Sequence, residues 1–347
     1  MKRTRSVTIR EVARAAGVSV QTVSRVLNNQ PDVAAETRAR IQEIITRLGY
    51  APNTLARALI KGRSHTLGVV AYGLGYYGPS RTLTGIERQA NELGYSLLLC
   101  LLREPENSPG ADLLAGLLAR QVDGVIWAVP EVGGSRETLL AAAASAPVPI
   151  VYINASPRAG QASVAIDNAL GGRLAAECLL QQGCRKVGMI TGPRIWWEGE
   201  QRAAGFRAGL LESGLFSASD LDRRTVEGDW YPSSGAAGMQ RLLDACPDLD
   251  AVFACNDQMA IGAMQTARRL GRRVPEDLAV VGFDDIPEAA YLSPPLSTVR
   301  QPITELGAKS VLLLHELLSA PPGSAPQPPV WLAPELIVRE SSRRNHP

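Results

Sequence analysis

The chain has 347 residues, which favours two or three domains over a single core, and its 45% hydrophobic and 20% charged residues are typical of a globular protein. No apolar run is long enough to span a bilayer, and the basic N-terminus lacks the apolar segment of a secretion signal, so we expect a cytoplasmic protein.

The net charge of +2 is unevenly distributed along the chain. The first 63 residues contain twelve Lys and Arg against four Asp and Glu, a net charge of +8, which leaves −6 for the remainder. A basic head on a mildly acidic body favours a polyanion-binding module, such as one that binds DNA, over a merely solvated basic surface. The five cysteines form no CxxC pair and the three histidines are far apart, so we predict buried thiols, no metal site and no cofactor.

The stretch from Val7 to Asn28 predicts two short helices joined by a turn. The first helix ends at Gly17, which can adopt the left-handed backbone, and Ser19 is a good N-cap for the second helix. Apolar residues recur at helical spacing and predict a small core, namely Ile9, Val12, Ala13 and Ala16 in the first helix, Val18 in the turn, and Val23, Val26 and Leu27 in the second helix.

The second helix leaves polar chemistry on its outer face, at Val20, Gln21, Ser24 and Arg25. An ordinary helical hairpin is the alternative, but the turn, the cap and the exposed groups together favour a helix-turn-helix whose second helix enters the DNA major groove. There Arg25 can pair with guanine and Gln21 with adenine, while Val20 can contact a thymine methyl group.

A third helix is predicted over Glu36–Leu48, with Ile41, Ile44, Ile45 and Leu48 closing the core and Gly49 ending the helix. Asn53 could cap a further short helix that carries Leu55, Ala56 and Leu59. That segment is too short to be stable alone in water, so we expect it to fold when bound to DNA. A linker with incidental helical propensity is the alternative.

From Thr66 the pattern changes to buried strands that alternate with helices, which predicts parallel doubly wound sheets. Two successive series of this kind predict two similar α/β lobes, with a ligand cleft outside the carboxyl ends of the strands. We therefore expect a headpiece at 1–62 and a two-lobed core at 63–347. The first lobe is expected at about 64–165 plus 295–325, and the second at about 166–294 plus 326–347.

With these elements placed, the chain resembles the lactose-repressor/galactose-repressor (LacI/GalR) family of bacterial transcription regulators over essentially its full length. The residues that carry the resemblance are TIREVARAAGVSVQTVSRVLN, ETRARI, LGYAPN and LARALIKGRS in the head, and IDN, GDW, ACNDQMAIG and VVGFDD in the body. The resemblance implies a periplasmic-binding-protein-like core, and a homodimer that binds a near-palindromic operator with one headpiece on each half-site.

The resemblance also implies which residues contact DNA. Val20, Gln21 and Arg25 would read base edges, and Leu59, beside Ala56, matches the hinge leucine that family members insert into the minor groove. Ala34 departs from the serine that caps the third helix in many relatives. The phosphate contacts would come from Thr8, Ser19, Thr22, Ser24, Asn28 and Asn53.

Several polar residues that follow strands or begin helices match the family's effector contacts. Arg202 presents a planar fork of donors, Asn256 can donate and accept, and Asp284 can accept from two hydroxyl groups. An unliganded salt bridge between Arg202 and Asp284 is the alternative, and Asp285 is expected to cap a turn.

Aromatic residues close to these positions favour a carbohydrate effector over a purine. Trp230 matches an aromatic that lines sugar pockets in the family, and Trp196 and Trp197 precede Arg202 together with the carboxylate of Glu198. One tryptophan of this pair is expected to be ordinary packing. In the first lobe, Tyr77 and its neighbour Tyr76 could form the opposite wall.

We thus expect a repressor whose operator affinity is switched by a sugar or short oligosaccharide acting as inducer. A corepressor-dependent regulator that responds to a nucleobase is the alternative. A sugar-binding transport protein would need a secretion signal and no helix-turn-helix. An enzyme would need a nucleophile–base pair, a metal cluster or a phosphate loop, and none is evident in the sequence. The C-terminal ESSRRNHP lacks apolar heptads, so no coiled-coil tail is predicted.

Overall fold

The computed structural model describes residues 7–27, 29–50, 63–103, 110–131, 143, 145–321 and 327–344. The chain divides into two compact units, one up to Ser64 and one from His65 onward. The first is the headpiece and the second is the body.

The headpiece contains three helices, α1 (Ile9–Ala16), α2 (Val20–Leu27) and α3 (Ala35–Leu48). The turn after α1 passes through Gly17, whose φ of 63° is left-handed, and Val18 N–H donates to the Ala13 carbonyl across it. The apolar residues predicted from spacing form the core, and Val12, Val23 and Ile41 have no solvent exposure.

The start of α3 confirms the weak cap expected at Ala34. This residue has N-cap geometry, but no side-chain hydrogen bond satisfies the first backbone N–H groups of the helix. The other end is well formed, because Gly49 adopts φ 62° and donates to the carbonyls of Ile45 and Thr46.

The body contains two six-stranded sheets, one in each lobe. The strands are β1 (Thr66–Ala71), β2 (Ser96–Leu101), β3 (Gly124–Ala128), β4 (Ile150–Ile153), β5 (Ala162–Ile166), β6 (Val187–Thr191), β7 (Thr225–Glu227), β8 (Ala251–Ala254), β9 (Ala279–Asp284), β10 (Ser297–Arg300), β11 (Val330–Leu332) and β12 (Glu335–Ile337). The first-lobe sheet has the order β11-β5-β4-β3-β1-β2 and the second-lobe sheet has the order β12-β10-β9-β8-β6-β7.

All strand pairs are parallel except the antiparallel pair of β10 and β12. The helices of the body are α4 (Tyr77–Glu92), α5 (Gly110–Leu118), α6 (Asn168–Gln181), α7 (Trp197–Glu212), α8 (Ala218–Arg223), α9 (Pro232–Ala245), α10 (Asp257–Arg269) and α11 (Ile303–Ser319), with 3-10 turns at Pro287–Tyr291 and Glu340–Ser342. These parallel sheets and helices confirm the predicted architecture.

The lobe boundaries differ from those expected at two strands. The strand β10 pairs with β9 in the second lobe and β11 pairs with β5 in the first, whereas β5 pairs with β4 in the first lobe, as expected. The chain therefore crosses between lobes at Asp167, at Gln301–Pro302 and at Ala333–Pro334. Strand partners are fixed by tertiary packing, which local periodicity does not encode.

The sequence pattern predicts one helix that starts near Thr82 and another that starts near Arg202. In the structure both helices begin earlier, because α4 starts at Tyr77 and α7 starts at Trp197. The second of these packs closely on α6, because a Cβ atom on Gly172 would lie 2.1 Å from the Arg202 carbonyl oxygen. The early starts bring the first turns of both helices to the cleft between the lobes.

No helix among the described residues is long and apolar enough to cross a membrane. All five cysteines are free thiols, and Cys178, Cys184 and Cys255 are buried. Burial raises the pKa of the Cys255 thiol to about 12.

Candidate functional site

The second headpiece helix presents the residues expected to read DNA. Ser19 begins it, and its hydroxyl oxygen accepts from the Thr22 backbone N–H at 3.0 Å. Gln21 and Arg25 are exposed, and Val20 retains 41% of its exposure, an unusual state for an apolar residue in such a small unit. The outer face of α2 is therefore open to a partner.

The Arg25 guanidinium forms an ion pair with Asp32 at 3.2 Å. Both side chains are about half exposed, so the pair is worth less than about 1 kcal/mol. A bidentate contact with guanine is stronger, so this pair does not prevent Arg25 from binding a base.

The residues expected to contact phosphates lie at helix starts or on the outer face. Thr8 forms a reciprocal capping box with Glu11, in which its backbone N–H donates to the Glu11 carboxylate at 2.7 Å. Thr22 and Ser24 are partly exposed on α2. The remaining expected DNA contacts, Asn28, Asn53, Ala56 and Leu59, lie outside the described residues.

The second candidate site is a cleft between the two lobes of the body, with about 620 Å³ of space including its opening to solvent. Seven of the eight residues proposed from sequence as effector contacts line it, namely Tyr77, Trp196, Glu198, Arg202, Trp230, Asn256 and Asp284.

Arg202 is buried at the centre of the cleft wall. Its Nε donates to Asn168 Oδ1 at 2.8 Å and its Nη1 donates to the Cys255 carbonyl at 2.7 Å. The guanidinium plane lies 4.1 Å from the Phe283 ring centroid and 5.4 Å from that of Trp230. These contacts fix the orientation of the arginine before any ligand binds.

Asp284 ends β9 beside Arg202, and the salt bridge considered as an alternative is present but long, at 3.5 Å. The Gln301 amide donates to the same carboxylate oxygen at 2.5 Å. Burial raises the pKa of Asp284 to about 6, although Arg202 opposes the shift. The backbone φ of 118° is strained for a residue with a side chain, and such strain is concentrated at functional sites.

Asp285 has a structural role different from the turn cap that was expected. Its carboxylate pairs with Arg300 and Arg339, each at 2.7 Å. These two arginines lie on β10 and just after β12, so the pairs hold the end of β9 against both neighbouring segments. Asp285 does not line the cleft.

Trp230 is buried in the floor of the cleft, with φ 74°. The Asn256 amide holds this conformation by donating to the Trp230 carbonyl at 2.9 Å, while its oxygen caps α10 through Met259 N–H. Gly192 makes room for the indole, since a Cβ atom there would lie 2.0 Å from the ring. Asn256 thus positions Trp230 as well as lining the cleft.

Three buried polar atoms of the cleft have no hydrogen-bond partner among the described residues. They are Glu198 Oε2, Trp230 Nε1 and Thr82 Oγ1. Burial raises the pKa of Glu198 to about 7, opposed by Arg202 and assisted by Asp284 and Glu131. An unpaired buried polar atom costs about 1–3 kcal/mol, so each of these atoms is poised for a ligand.

The first lobe supplies an aromatic wall that contacts the second lobe directly. Tyr76 packs against Trp196 and Tyr231, with ring centroids 5.7 and 5.4 Å apart, and it shares a hydrogen bond with Tyr231. Burial and this hydrogen bond raise the pKa of Tyr76. Trp196 also lies 5.9 Å from Trp230. The aromatic rings therefore run from the cleft floor to its mouth.

Trp197 is not in the cleft, although the sequence placed it there. Its ring packs 6.4 Å from Trp331 in a shallow depression that also includes Asp167 and Gln201. Trp196 is the N-cap of α7 with an extended backbone and Trp197 is the first helical residue. Their rings have different partners, namely Tyr72, Tyr76 and Trp230 for Trp196, and Trp331 for Trp197. Trp197 is thus the packing member of the pair.

Sequence reasoning missed several polar residues of the cleft. Asn154 directly follows β4 and Gln301 directly follows β10, so the rule that ligands bind at the carboxyl ends of strands could have identified both. Gln258 lies in the first turn of α10. Asn168, the partner of Arg202, begins a helix directly after β5 and could have been identified by the same rule, whereas Thr82 carried no such signal.

Comparison with known proteins matches two parts of the chain. Residues 8–53 match the bacterial regulatory proteins of the lacI family, and residues 176–342 match a periplasmic binding protein-like domain. The first match covers the helix-turn-helix and the second covers most of the second lobe.

Full-length relatives were found as well. The ribose operon repressor of Escherichia coli strain K12 is 34% identical over 336 residues, covering 96% of this chain and 99% of the relative. The structure of the Lac repressor dimer bound to operator and the anti-inducer ONPF is similar at 30% identity, with a TM-score of 0.87 over 98% of this chain and 100% of that chain. A complex of the transcriptional regulator CelR with cellobiose is similar at 33% identity, with a TM-score of 0.70 over 96% and 99%.

Proposed function

Since the chain belongs to the lacI family of bacterial regulatory proteins, a family of DNA-binding transcriptional repressors, we propose that its effector is a neutral carbohydrate bound in the cleft between the lobes. Binding of this inducer would release a homodimer from a near-palindromic operator. In this proposal the chain acts by binding alone and catalyses no reaction.

The observation that carries the proposal is the set of three unpaired polar atoms in an aromatic cleft. The Trp230 indole N–H can donate a hydrogen bond and the unpaired Glu198 oxygen can accept one. The Thr82 hydroxyl can either donate or accept. A sugar hydroxyl both donates and accepts, so one ring with several hydroxyls can satisfy all three. The apolar face of a pyranose can pack on Trp196.

The charges of the cleft favour a neutral ligand over an anionic one. Among the described residues that line the cleft, Arg202 is the buried cation. It already donates hydrogen bonds to Asn168 and to the Cys255 carbonyl, and it pairs with Asp284. The Asp284 carboxylate, which is ionised above about pH 6, would repel a phosphate or carboxylate, and Glu198 would add to this repulsion once it ionises above about pH 7. A sugar phosphate should therefore bind worse than the corresponding neutral sugar.

Two of the relatives support a saccharide of one or two rings. CelR has been solved with cellobiose, and the E. coli relative is named a repressor of the ribose operon.

Isothermal calorimetry of the full chain tests the effector class. The ligands are cellobiose, glucose, ribose, glucose 6-phosphate and hypoxanthine. We expect saturable binding of a neutral saccharide and at least tenfold weaker binding of the phosphate. The proposal would be overturned if hypoxanthine or glucose 6-phosphate bound and no neutral saccharide did.

Two variants connect the calorimetric signal to the cleft. Trp230→Ala removes the aromatic floor and the indole N–H, so it should abolish saccharide binding. Tyr291→Ala truncates an aromatic residue that is 89% exposed and lies outside the cleft, so it should leave binding unchanged. Equal losses in both variants would show that binding does not depend on the cleft.

A further inference from the structure

The first turn of α7 is contacted by the first lobe on two sides. On the cleft side, Trp196 meets the rings of Tyr72 and Tyr76 at 5.8 and 5.7 Å. On the opposite side, the Trp197 N–H donates to the Glu131 carbonyl at 3.2 Å, and its indole packs against Trp331. The second lobe is therefore held by contacts both inside and outside the effector cleft.

The outer contact joins Trp331 and Trp197, neither of which lines the effector cleft. Trp331 lies on β11, the edge strand of the first-lobe sheet, and keeps 50% of its exposure. Its ring lies 6.4 Å from Trp197, tilted by 43°, in the depression beside the crossovers at Asp167 and Ala333. Trp331 is not part of the first-lobe core, and the ring that it packs against, Trp197, belongs to the other lobe.

We infer that Trp331 and Trp197 form a latch that stabilises the closed arrangement of the lobes from outside the cleft. Trp331 is then a positioning residue, which acts on effector affinity through the population of the closed state and not through contact with the ligand. An effector that needs the closed lobes binds in proportion to the fraction of molecules already closed. Loss of the latch should weaken every effector by one common factor.

The size of that factor follows from the contact. A pair of packed aromatic rings changes an equilibrium by about two- to twelvefold beyond the area that it buries. The latch should therefore shift the ratio of closed to open lobes by about this amount. A change of this size alters the effector response without unfolding either lobe.

The Trp197 amide gives a direct readout of the latch, because its hydrogen bond to Glu131 crosses from one lobe to the other. We would measure amide hydrogen exchange of the full chain by mass spectrometry with residue-level fragmentation. In Trp331→Ala, exchange of the Trp197 amide should become about two- to twelvefold faster. The amides of Val125 in β3 and Val252 in β8 should keep their rates, because both lobes stay folded.

Two further variants serve as controls. Trp331→Phe keeps an aromatic ring and should fall between wild type and Trp331→Ala. Leu215→Ala truncates an apolar residue that is 53% exposed and lies within the second lobe, so it should leave the Trp197 amide unchanged. An unchanged Trp197 rate in Trp331→Ala would overturn the inference, as would equal acceleration at Val125 and Val252.

Effector binding then extends the test to function, with cellobiose as the probe. If cellobiose binds wild type, its dissociation constant should rise in Trp331→Ala by the factor by which the closed fraction falls, which is at most about twelvefold, and a lowered constant would contradict the role in positioning. Failure of cellobiose to bind wild type would bear on the proposed effector class, while the exchange experiment still decides the latch.

Discussion

Glu198→Gln tests the electrostatics of the cleft most sharply, because it removes one ionisable group and keeps the shape of the side chain. Burial raises the pKa of Glu198 from 4.5 to about 7. The folded protein therefore keeps this proton over a pH range in which the unfolded chain has lost it. Stability contributed by the neutral acid declines as pH rises above 4.5, and the decline levels off above about 7.

The magnitude follows from the shift. A change of about 2.5 pKa units at 1.36 kcal/mol per unit corresponds to about 3 kcal/mol of destabilisation of wild type above pH 7. Glutamine cannot ionise and does not carry this cost. Relative to wild type, the unfolding free energy of the variant should therefore rise by about 2.5 kcal/mol between pH 5 and pH 8, because the unfolded chain has already lost most of this proton at pH 5.

Urea unfolding followed by circular dichroism at pH 5, 6, 7 and 8 measures the difference. Glu200→Gln is the matched control, because Glu200 lies on the same helix turn but is exposed, and it should give a difference that does not vary with pH. A constant offset between wild type and Glu198→Gln at all four pH values would refute the reasoning.

Three other predictions follow from single contacts. Arg25→Ala should weaken operator binding by about 1–3 kcal/mol and relax base choice at one position, with effector affinity unchanged, as measured by fluorescence anisotropy on matched and mismatched duplexes. Loss of effector binding as well would contradict the separation of the two sites. Gly192→Ala should displace Trp230, because the added Cβ would lie 2.0 Å from its ring; calorimetry should show lost saccharide binding while DNA binding persists. Ala34→Ser should supply the missing cap of α3 and stabilise that helix by about 1 kcal/mol, which would slow amide exchange in its first turns about fivefold. Unchanged exchange would show that the cap is satisfied by other means.

The headpiece was predictable because its signals are local. The apolar spacing within each helix, the turn at Gly17 and the cap at Ser19 each act within a few residues of the chain. The early start of α7 was not predictable from such signals. Its N-cap is Trp196, which makes no side-chain hydrogen bond, so the usual mark of a helix start is missing.

The cleft was predictable in part. Asn256 and Asp284 lie at strand ends, where the topology of a parallel sheet places ligands, whereas Arg202 lies in the second turn of α7. The hydrogen bonds that occupy Arg202 and Asn256 depend on partners distant in sequence, as do the unpaired oxygen of Glu198 and the packing of Trp197 on Trp331. None of these contacts has a signature in the order of residues.

The most direct test of the account is operator release by a neutral saccharide. A duplex selected from a random pool by the full chain would be labelled and its anisotropy followed during titration with the saccharide that calorimetry identifies. We predict saturable release from wild type and none from Trp230→Ala, which should still bind the duplex. A saccharide that binds wild type but leaves the duplex bound, or that releases Trp230→Ala equally well, would contradict the account.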